Sequence, residues 1–523
     1  MKYIKYVLLF SVTALLANGC TKGFEELNTR PDALIASNVD GSLLGQGFAR
    51  AQYYAMHGEH WRFQISENLF SDLYCQYFAT TAANFDSDRY VEVGRWIDLC
   101  WSSFYGEAAP NIKFVEDFAR ENDLPVEEAI AKIWRVQGYH RVTDYWGPVI
   151  YSQFGNGETS VAYDTQESIY KSFFTTLDEA VTTLNAHRGE NVFGNNDQIF
   201  GGDVDKWITF ANSLRLRLAM RIRFVEPALA KAEAEKAVAA GVMEDNSENA
   251  WIATTVNSLN PFTTITNWGE FRMSSLMEST LEGYGDPRIG VYFSPADEGD
   301  SDGDGSPYEG LRNGQAKVDK IPALNTGNSD VGPAYLPEGK GGTNPPIIVM
   351  TSAEVFFLRA EGALIGWNMG GTAKDLYESG IRNSMKDRAG AADAAIDAYL
   401  ASTSTPVATG DAFNTQPATD IPVKWEDGAS QERNLEQIIT QKWIALYPDG
   451  WEAYAEVRRT GYPKLIPILN SDNPDLGVND IFRRMTFVDG EFSNNRAATE
   501  AAQTLPELSG GDKNSTKVWW DKK

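Results

Sequence analysis

The chain has 523 residues and a formal net charge of −26, from 46 Lys and Arg against 72 Asp and Glu. An apolar content of 42% and a mean hydropathy of −0.35 indicate a globular body with a real core. They exclude an intrinsically disordered chain, a coiled-coil rod and a polytopic membrane protein. Because a charge this negative repels phosphate backbones, we expect no nucleic-acid partner.

The N-terminus predicts a secretory signal. An apolar stretch from Val7 to Ala17 follows two lysines and is shorter than the ~18 residues needed to span a bilayer. It leads to Gly19 and Cys20, and a small residue directly before a cysteine resembles the lipobox of bacterial lipoproteins, whose cysteine thiol is acylated. We therefore expect residues 1–19 to be a lipoprotein signal peptide and Cys20 to carry the lipid that anchors the chain to a membrane. The alternative is a general signal peptide that is cut elsewhere.

Apolar residues recur with a period of about 3.6 in several segments, which predicts amphipathic helices. One of these helices begins after the start signal Asp164-Thr165-x-Glu167. Tight breaks at 368–371 and at 448–450 join four of the segments into two helix hairpins. In chain order, the segments are 126–141, 169–184, 207–222, 351–367, 373–381, 435–446 and 451–455.

Paired helices of this kind predict a mostly α fold, with a tetratricopeptide-like scaffold of helix pairs and few, short strands. Two segments interrupt the pattern: 294–346 is dense in Gly, Pro and Asp, and 460–523 shows little periodicity. Loops of this length in a compact protein are usually functional or disordered. We therefore expect one helical scaffold that carries long, loop-rich insertions.

Charged residues also lie within the predicted helices. Four arginines lie close together in the third segment and just after it, in a strongly acidic chain. We expect these arginines, and the acids and arginines of the last helix, to form buried ion pairs. The residues are Arg215, Arg217, Arg221, Arg223, Glu452, Glu456, Arg458 and Arg459.

Cys75 and Cys100 are the thiols that remain after the signal peptide and Cys20. In an oxidising exterior they can form a disulfide if their Cα atoms lie close enough, a separation that the sequence does not give. Two free, buried cysteines are the alternative.

Several longer stretches, in order along nearly the whole chain, resemble one known family. They are CTKGFEELNTRPDAL (20–34), KIWRVQGYHRVTDYWGPVIYS (132–152), YDTQESIYKSFFTTLDEA (163–180), DVDKWITFANSLRLRLAMRI (203–222), GDPRI (285–289), PPIIVMTSAEVFFLRAEGALIGW (345–367), IITQKWIALYPDGWEAYAEVRRTGYP (438–463) and VWWDK (518–522). With these stretches the chain resembles the SusD/RagB family of outer-membrane nutrient-binding lipoproteins, in its SusD-like branch. One departure is Tyr454, where the relatives have Trp, and it retains an aromatic ring.

The resemblance implies a mostly α-helical domain over residues 20–523, in which four tetratricopeptide-like helix pairs carry a loop-rich lobe. It implies a non-enzymatic lipoprotein that faces the cell exterior on the outer membrane, above a SusC-type TonB-dependent transporter. Such a protein captures an oligosaccharide, or in some members a peptide, and passes it to the transporter. Two alternatives stay open. One is an all-α secreted glycoside hydrolase or lyase, and the other is a structural lid whose partner supplies all ligand contacts.

Aromatic rings outside the periodic helix faces are the candidate ligand-binding residues. An exposed ring can stack on the face of a sugar, and flanking Asn, Asp and Arg side chains can hydrogen-bond to its hydroxyl groups. For each ring taken alone, packing in the core is the alternative. The candidates are Tyr90, Trp96, Trp101, Trp268, Tyr284 and Tyr308, with Tyr292 near the same insertion and the polar residues Asn84, Asp86, Asp88 and Arg89 near the first three.

An acidic loop provides a candidate metal site. Asp300, Asp302 and Asp304 alternate and are followed by Gly, which matches the first half of an EF-hand calcium loop. The twelfth position is Leu311 rather than a bidentate Glu, and Glu309 comes two places early. We therefore expect weak calcium binding unless a distant carboxylate completes the shell, with a solvated acidic loop as the alternative. No other cofactor is expected.

Overall fold

The computed structural model of the protein describes residues 41–56 and 58–523. The signal peptide predicted over residues 1–19 and the lipid anchor predicted at Cys20 lie outside these residues and stay predictions. Residues 45–523 form one compact unit. Among the described helices, none combines the length and the hydropathy that crossing a bilayer requires.

Most of the regular structure is α-helical, as the sequence predicts. In chain order, the α-helices of the described chain are α1 (Gly41–Ala55), α2 (His60–Phe63), α3 (Ser71–Tyr74), α4 (Gly94–Ser103), α5 (Ala109–Glu121), α6 (Pro125–Trp146), α7 (Gln166–Asn185), α8 (Val204–Arg221), α9 (Pro227–Ala240), α10 (Pro261–Ile265), α11 (Ser275–Tyr284), α12 (Ile289–Tyr292), α13 (Leu324–Gly327), α14 (Ser352–Leu364), α15 (Ala373–Ala389), α16 (Asp393–Leu400), α17 (Gln431–Leu446), α18 (Gly450–Thr460), α19 (Asp489–Asn494) and α20 (Arg496–Ala502). The periodic segments correspond to α6, α7, α8, α14, α15, α17 and α18, so each predicted helix is confirmed.

Pairs of consecutive helices form the scaffold. Helix α6 packs on α7, α8 on α9, α14 on α15, and α17 on α18. The pairs are joined to each other, because α8 also contacts α7 and α14, and α14 also contacts α17. The two hairpins that the sequence predicts, α14–α15 and α17–α18, are confirmed. This is the mostly α, tetratricopeptide-like arrangement expected from the sequence.

Local signals fix where the scaffold helices begin and end. At the start of α7 the Thr165 side chain accepts a hydrogen bond from the backbone N–H of Ser168, as the start signal predicts. Thr351 caps α14 and Asp449 caps α18 in the same way. Helix α18 ends at Gly461, whose φ of 77° suits a residue without Cβ. Each such N-cap contributes about 1 kcal/mol to helix stability.

Large aromatic side chains fill the space between the helix pairs. Trp207, Trp443 and Trp451 are each at most 1% exposed. The ring of Tyr145 on α6 stacks on Trp451 of α18, with centroids 3.6 Å apart and planes 7° apart. Burial of rings this size dominates the energetics of a core, so these contacts hold helices that are distant in sequence together.

Buried ion pairs run through the same interior and confirm the expectation for the helix arginines except Arg458, which has no ion pair among the described residues and donates to backbone carbonyls instead. Arg221 donates to Glu456 at 2.8 Å and to both oxygens of Glu452 at 2.6 Å. Arg459 donates from both Nη atoms to Glu361 at 2.6 Å. Further pairs are Arg215–Glu233, Arg217–Glu354 and Arg223–Glu361. The described contacts of Arg458 include the backbone carbonyls of Asp144 and Arg483.

Strands are few and short in the described chain, as predicted. The pairs are antiparallel, and they tie segments that are far apart in sequence. They are β1 (Phe78–Thr80) with β3 (Phe271–Met273), and β2 (Ala250–Ile252) with β4 (Ile347–Met350).

The irregular segment 294–346 contains helical turns of only three or four residues among its described elements. A buried ion pair attaches it to the rest of the unit: the Lys320 Nζ donates to both Asp88 oxygens, at 2.8 and 2.9 Å, and to the Phe85 carbonyl at 3.1 Å. Both charged side chains are fully buried. The insertion is therefore held in place although it lacks long helices.

Cys75 and Cys100 are both free and buried. Burial raises the pKa of the Cys100 thiol to about 12, so the thiolate that reacts with oxidants is scarce at neutral pH. The structure therefore has the second of the two arrangements that the sequence left open.

Candidate functional site

The structure places four of the six candidate rings in the interior. Their exposed fractions are Tyr90 4%, Trp96 6%, Trp101 5% and Tyr284 4%. The Tyr90 hydroxyl donates to the Asp480 carbonyl at 2.9 Å, and the Tyr284 hydroxyl donates to the Ile421 carbonyl at 3.0 Å. These rings therefore present no open face to a ligand, and the expectation of loop-borne rings is corrected for them.

The two tryptophans are buried because they belong to a helix that the sequence did not reveal. Trp96 and Trp101 both lie on α4, and Trp101 packs on Tyr105 with ring centroids 4.4 Å apart. Tyr292, considered with the insertion, is also fully buried. A short helix gives few turns from which to read a periodicity, so packing and loop positions look alike in the sequence.

The remaining two candidates are more open. Tyr308 is half-buried, with its hydroxyl beside the backbone of Gly290. Trp268 is 41% exposed at the end of a 3-10 turn, Thr266–Trp268. Its ring lies 5.8 Å from that of His60, between centroids. Trp268 therefore packs near His60 rather than near the other candidate rings.

A surface groove of about 660 Å³ lies between two irregular segments, residues 254–267 and residues 336–344. The sheet of β2 and β4 positions them: Ile252 is opposite Ile347, so the chain leaves and re-enters the sheet at the same end. The volume falls in the range of ordinary ligand sites, ~300–1,000 Å³. Asn267 lines the groove and immediately precedes Trp268.

One residue holds the two walls together. The Asn344 Oδ1 accepts a hydrogen bond from the Asn260 N–H at 2.7 Å, and its Nδ2 donates to the Thr255 carbonyl at 3.2 Å. The Thr254 hydroxyl donates to the Asn344 carbonyl at 2.6 Å. The φ of Asn344 is 51°, a left-handed conformation that Asn tolerates better than most residues. The walls are therefore set before any ligand arrives.

The groove combines apolar and neutral polar groups. Val256 is 85% exposed at the tip of a tight turn, and Leu259 is 41% exposed. The polar lining includes Thr254, Thr255, Thr263, Thr264, Asn267, Thr343 and Asn344. Aliphatic groups next to hydroxyls and amides can cover the C–H face of a ligand while hydrogen-bonding to its hydroxyl groups.

Glu338 is the one carboxylate among the described residues that line the groove. Hydrolysis of a glycosidic bond ordinarily uses two carboxyl groups ~5–9.5 Å apart. The described lining therefore holds one of the two carboxyl groups that this chemistry uses.

The acidic loop forms a separate cluster. Carboxylate oxygens of Asp300, Asp302 and Asp304 lie within 4.8 Å of one another. Glu282, far away in sequence, lies next to Asp304, and burial together with that carboxylate raises the pKa of Glu282 to about 8. Burial raises the pKa of the adjacent Glu278 to about 10, reinforced by neighbouring acids. A distant carboxylate thus reaches the loop that lacks a twelfth-position ligand.

The groove walls were not found from the sequence. The signal that marks them is compositional: Thr and Asn are dense in 254–267, which ends next to Trp268, and Gly, Thr and Asn follow one another at 341–344. The two segments are far apart along the chain, and the pairing of β2 with β4 and the hydrogen bonds of Asn344 bring them together.

Comparisons with known proteins agree with the fold. The family model described as "SusD-like: Susd and RagB outer membrane lipoprotein" matches residues 26–521. Among curated proteins, no relative matches the chain.

Solved structures of relatives are similar over almost their whole length. A chitin-binding SusD homolog from Flavobacterium johnsoniae is 36% identical, with a TM-score of 0.83, over 92% of this chain and 99% of that one. A SusD homolog from Bacteroides uniformis is 34% identical, with a TM-score of 0.83, over 93% and 100%. A SusD homolog from Bacteroides thetaiotaomicron is 32% identical, with a TM-score of 0.82, over 93% and 100%.

Proposed function

We infer the function from the fact that this chain belongs to the SusD-like family of outer-membrane lipoproteins. It captures an oligosaccharide at the cell surface and delivers it to a SusC-type TonB-dependent transporter. The observation that carries the proposal is the groove between 254–267 and 336–344, with the exposed ring of Trp268 directly after it. A peptide ligand is the alternative outcome of the tests below.

The lining of the groove supports a sugar ligand. Sugars present hydroxyl groups around the ring edge and C–H groups on the ring face. Threonine hydroxyls and asparagine amides match the first, and Val256 and Leu259 match the second; the exposed ring of Trp268 follows the groove residue Asn267 in sequence. Chitooligosaccharides are the first ligands to test, because the relative from Flavobacterium johnsoniae is described as chitin-binding.

The groove supports binding without catalysis. An all-α glycoside hydrolase or lyase needs acid–base groups at the scissile bond, and the described groove lining contains one carboxylate, Glu338. Incubation of purified protein with the bound oligosaccharide distinguishes the two functions. Sustained release of shorter products contradicts the binding function, and an unchanged ligand agrees with it.

The central experiment measures oligosaccharide affinity by titration calorimetry and affinity electrophoresis. We expect Trp268→Ala to weaken binding at least about ten-fold, equivalent to about 1.4 kcal/mol, because a stacking ring is removed. Phe413→Ala is the matched control, since Phe413 is similarly exposed at 45% and, unlike Trp268, is not next in sequence to a groove residue. Equal effects of the two substitutions, or none of Trp268→Ala, contradict the assignment of the groove.

The membrane attachment is tested in cells. If Cys20 carries the lipid, Cys20→Ala abolishes incorporation of labelled palmitate and moves the protein out of the membrane fraction. Protease digestion of intact cells then reports whether the lipoprotein faces the exterior. Co-purification of the acylated protein with a β-barrel transporter tests the delivery step.

We also propose a calcium ion at the acidic loop. Three aspartates converge there, and the Glu282 carboxylate lies next to Asp304, from which it can supply a further oxygen to a loop that lacks a twelfth-position ligand. We expect Ca²⁺ to raise the unfolding temperature more than Mg²⁺ does, and Asp304→Asn to remove the difference. Asp319→Asn, at an exposed position of the same insertion, is the control. An unfolding temperature that is insensitive to Ca²⁺ contradicts the site.

A further inference from the structure

The groove is almost free of formal charge. Among the described residues that line it, Glu338 is the one ionisable side chain, and the others offer hydroxyl, amide, aliphatic and backbone groups. The whole chain has a net charge of −26. A ligand that enters therefore meets neutral polar groups within a negative field.

Three bases outside the groove lining are committed to other partners. Arg388 donates to the hydroxyl of Tyr335, which immediately precedes the second wall, at 2.8 Å. Arg272 donates from Nε to the Asn325 carbonyl at 3.0 Å. Lys320 is buried in the ion pair that anchors the insertion. These cations are therefore not placed to pair with a ligand.

Lys340 is the base closest to Glu338 along the chain. Both residues belong to the turn Glu338–Lys340, and both are exposed. Lys340 does not line the groove. The turn thus presents its acid, rather than its base, to the groove.

An anionic sugar that enters the groove loses the hydration of its charged groups, whereas a neutral sugar has no charged group to desolvate. A carboxylate or sulfate group that leaves water needs a cation or several donors to replace its hydration. A neutral sugar exchanges water hydrogen bonds for those of threonine and asparagine side chains, with little change in electrostatic free energy. The lining therefore favours uncharged ligands.

We propose that the groove accepts uncharged glycans and rejects chains that carry carboxylate or sulfate groups, with Glu338 as the residue that sets this charge selection. The inference rests on the proposed function, because it names the ligand class of the same groove. It separates neutral polysaccharide fragments from uronic-acid, sulfated and sialylated ones.

The test compares a neutral hexasaccharide with its own oxidised form, in which the primary hydroxyl groups have become carboxylates. Chitohexaose, cellohexaose and mannohexaose, each with its oxidised form, are titrated into the purified protein at low ionic strength. We expect the wild-type protein to bind at least one neutral member, and to bind the oxidised form of that member at least ten-fold more weakly.

Substitution of Glu338 sharpens the test. Glu338→Lys should raise the affinity for the oxidised form about two- to five-fold, because an exposed ion pair contributes up to about 1 kcal/mol. The readout is the ratio of the affinities for the oxidised and neutral forms, so that any effect of the substitution on neutral binding is divided out. Glu121→Lys is the control: it makes the same change in net charge at the exposed end of α5.

The outcomes are distinguishable. Equal affinity of the wild-type protein for a neutral hexasaccharide and its oxidised form overturns the charge selection and leaves the proposed function standing. An equal gain from Glu121→Lys and Glu338→Lys overturns the role of Glu338, because net charge alone then explains it. If no member of either series binds, the proposed function of the groove and this inference both fail.

Discussion

Ion pairs run through the interior of the helical scaffold, whereas the lining of the surface groove is neutral except for Glu338. Arg221 and Glu452 are at most 2% exposed and are bonded to each other, while Glu338 at the groove is exposed. Burial of a charge is costly unless its partners are fixed, so each interior pair constrains how two helices meet. The groove needs the opposite property, because a neutral ligand is bound by stacking and hydrogen bonds.

The two regions also differ in what positions them. Scaffold residues are placed by helix periodicity. A substitution that disrupts one helix therefore also disturbs the packing of the helices that contact it in the core. The groove walls are irregular and depend on the short pairing of β2 with β4 and on the side chain of Asn344. We therefore expect scaffold substitutions to act mainly on stability and groove substitutions to act mainly on affinity.

The largest effect is expected from Arg221→Ala. The substitution leaves Asp144, Glu452 and Glu456 buried without the guanidinium that pairs with them. Breaking a buried pair in this way costs about 3–5 kcal/mol. Urea unfolding, followed by circular dichroism, measures the loss. Arg496→Ala removes a pair whose side chains are 66% and 57% exposed, and it should cost at most about 0.5 kcal/mol.

The scaffold half of this comparison could be largely predicted from the sequence. The Thr165 start signal and the apolar spacing of α7, α14 and α17 fixed those helices, because each turn repeats the same pattern. The clustering of arginines in an acidic chain also predicted their burial. These signals are local, so a single segment is enough to read them.

The groove half could not be predicted in the same way. Trp268 was among the candidates, but nothing in the local sequence distinguished it from Trp96. The same reasoning placed Trp96 on a loop, whereas it lies on α4 and is buried in the core. The groove itself depends on residues 254–267 meeting residues 336–344. That contact is a product of tertiary packing, and neither segment has a periodicity that points to the other.

The second prediction concerns Asp72, a buried acid whose charge is poorly compensated. Asp72 is fully buried, its Oδ1 has no hydrogen-bond partner, and its Oδ2 accepts from Asn68 at 3.3 Å. Burial and the nearby Glu67 carboxylate raise the pKa of Asp72 well above its usual value. Burial also raises the pKa of Glu67, to about 8, although Arg141 donates to it at 2.9 Å, so Asp72 is one of two neighbouring carboxyl groups that hold a proton more tightly in the folded state.

Because the folded state holds a proton that the unfolded state releases above about pH 4, stability should fall as the pH rises from there. Asp72→Asn removes this titration. We expect it to stabilise the protein by about 1–3 kcal/mol near pH 8 and by much less near pH 4. Urea unfolding across this range measures the difference. A gain that is the same at both pH values, or equal to that of the exposed control Asp319→Asn, contradicts the assignment.

A smaller loss of stability, together with a loss of affinity, is expected from substitution of Asn344, which bonds the two groove walls to each other. Asn344→Ala removes the side-chain bonds to Asn260 and Thr255 and leaves, at a φ of 51°, a residue that tolerates the left-handed region less well than Asn does. Together these changes should cost about 1–2 kcal/mol. Asn344→Gly removes the same bonds without the backbone strain, so it should cost less stability while weakening oligosaccharide binding equally. If Asn344→Gly binds the oligosaccharide as tightly as the wild type does, the side-chain hydrogen bonds of Asn344 do not shape the binding site.

The smallest effect on stability is expected at the rim. Val256 is 85% exposed, so Val256→Ser should change the free energy of unfolding by at most about 0.5 kcal/mol. It should still weaken oligosaccharide binding about two- to five-fold, because the ligand then covers less apolar surface. Val318→Ser is a close match, since Val318 is 83% exposed and does not line the groove. Calorimetric titration measures the affinity of both variants. A loss of affinity in Val256→Ser alone shows that an apolar side chain contributes to binding because it lines the groove, and an equal loss in Val318→Ser contradicts this.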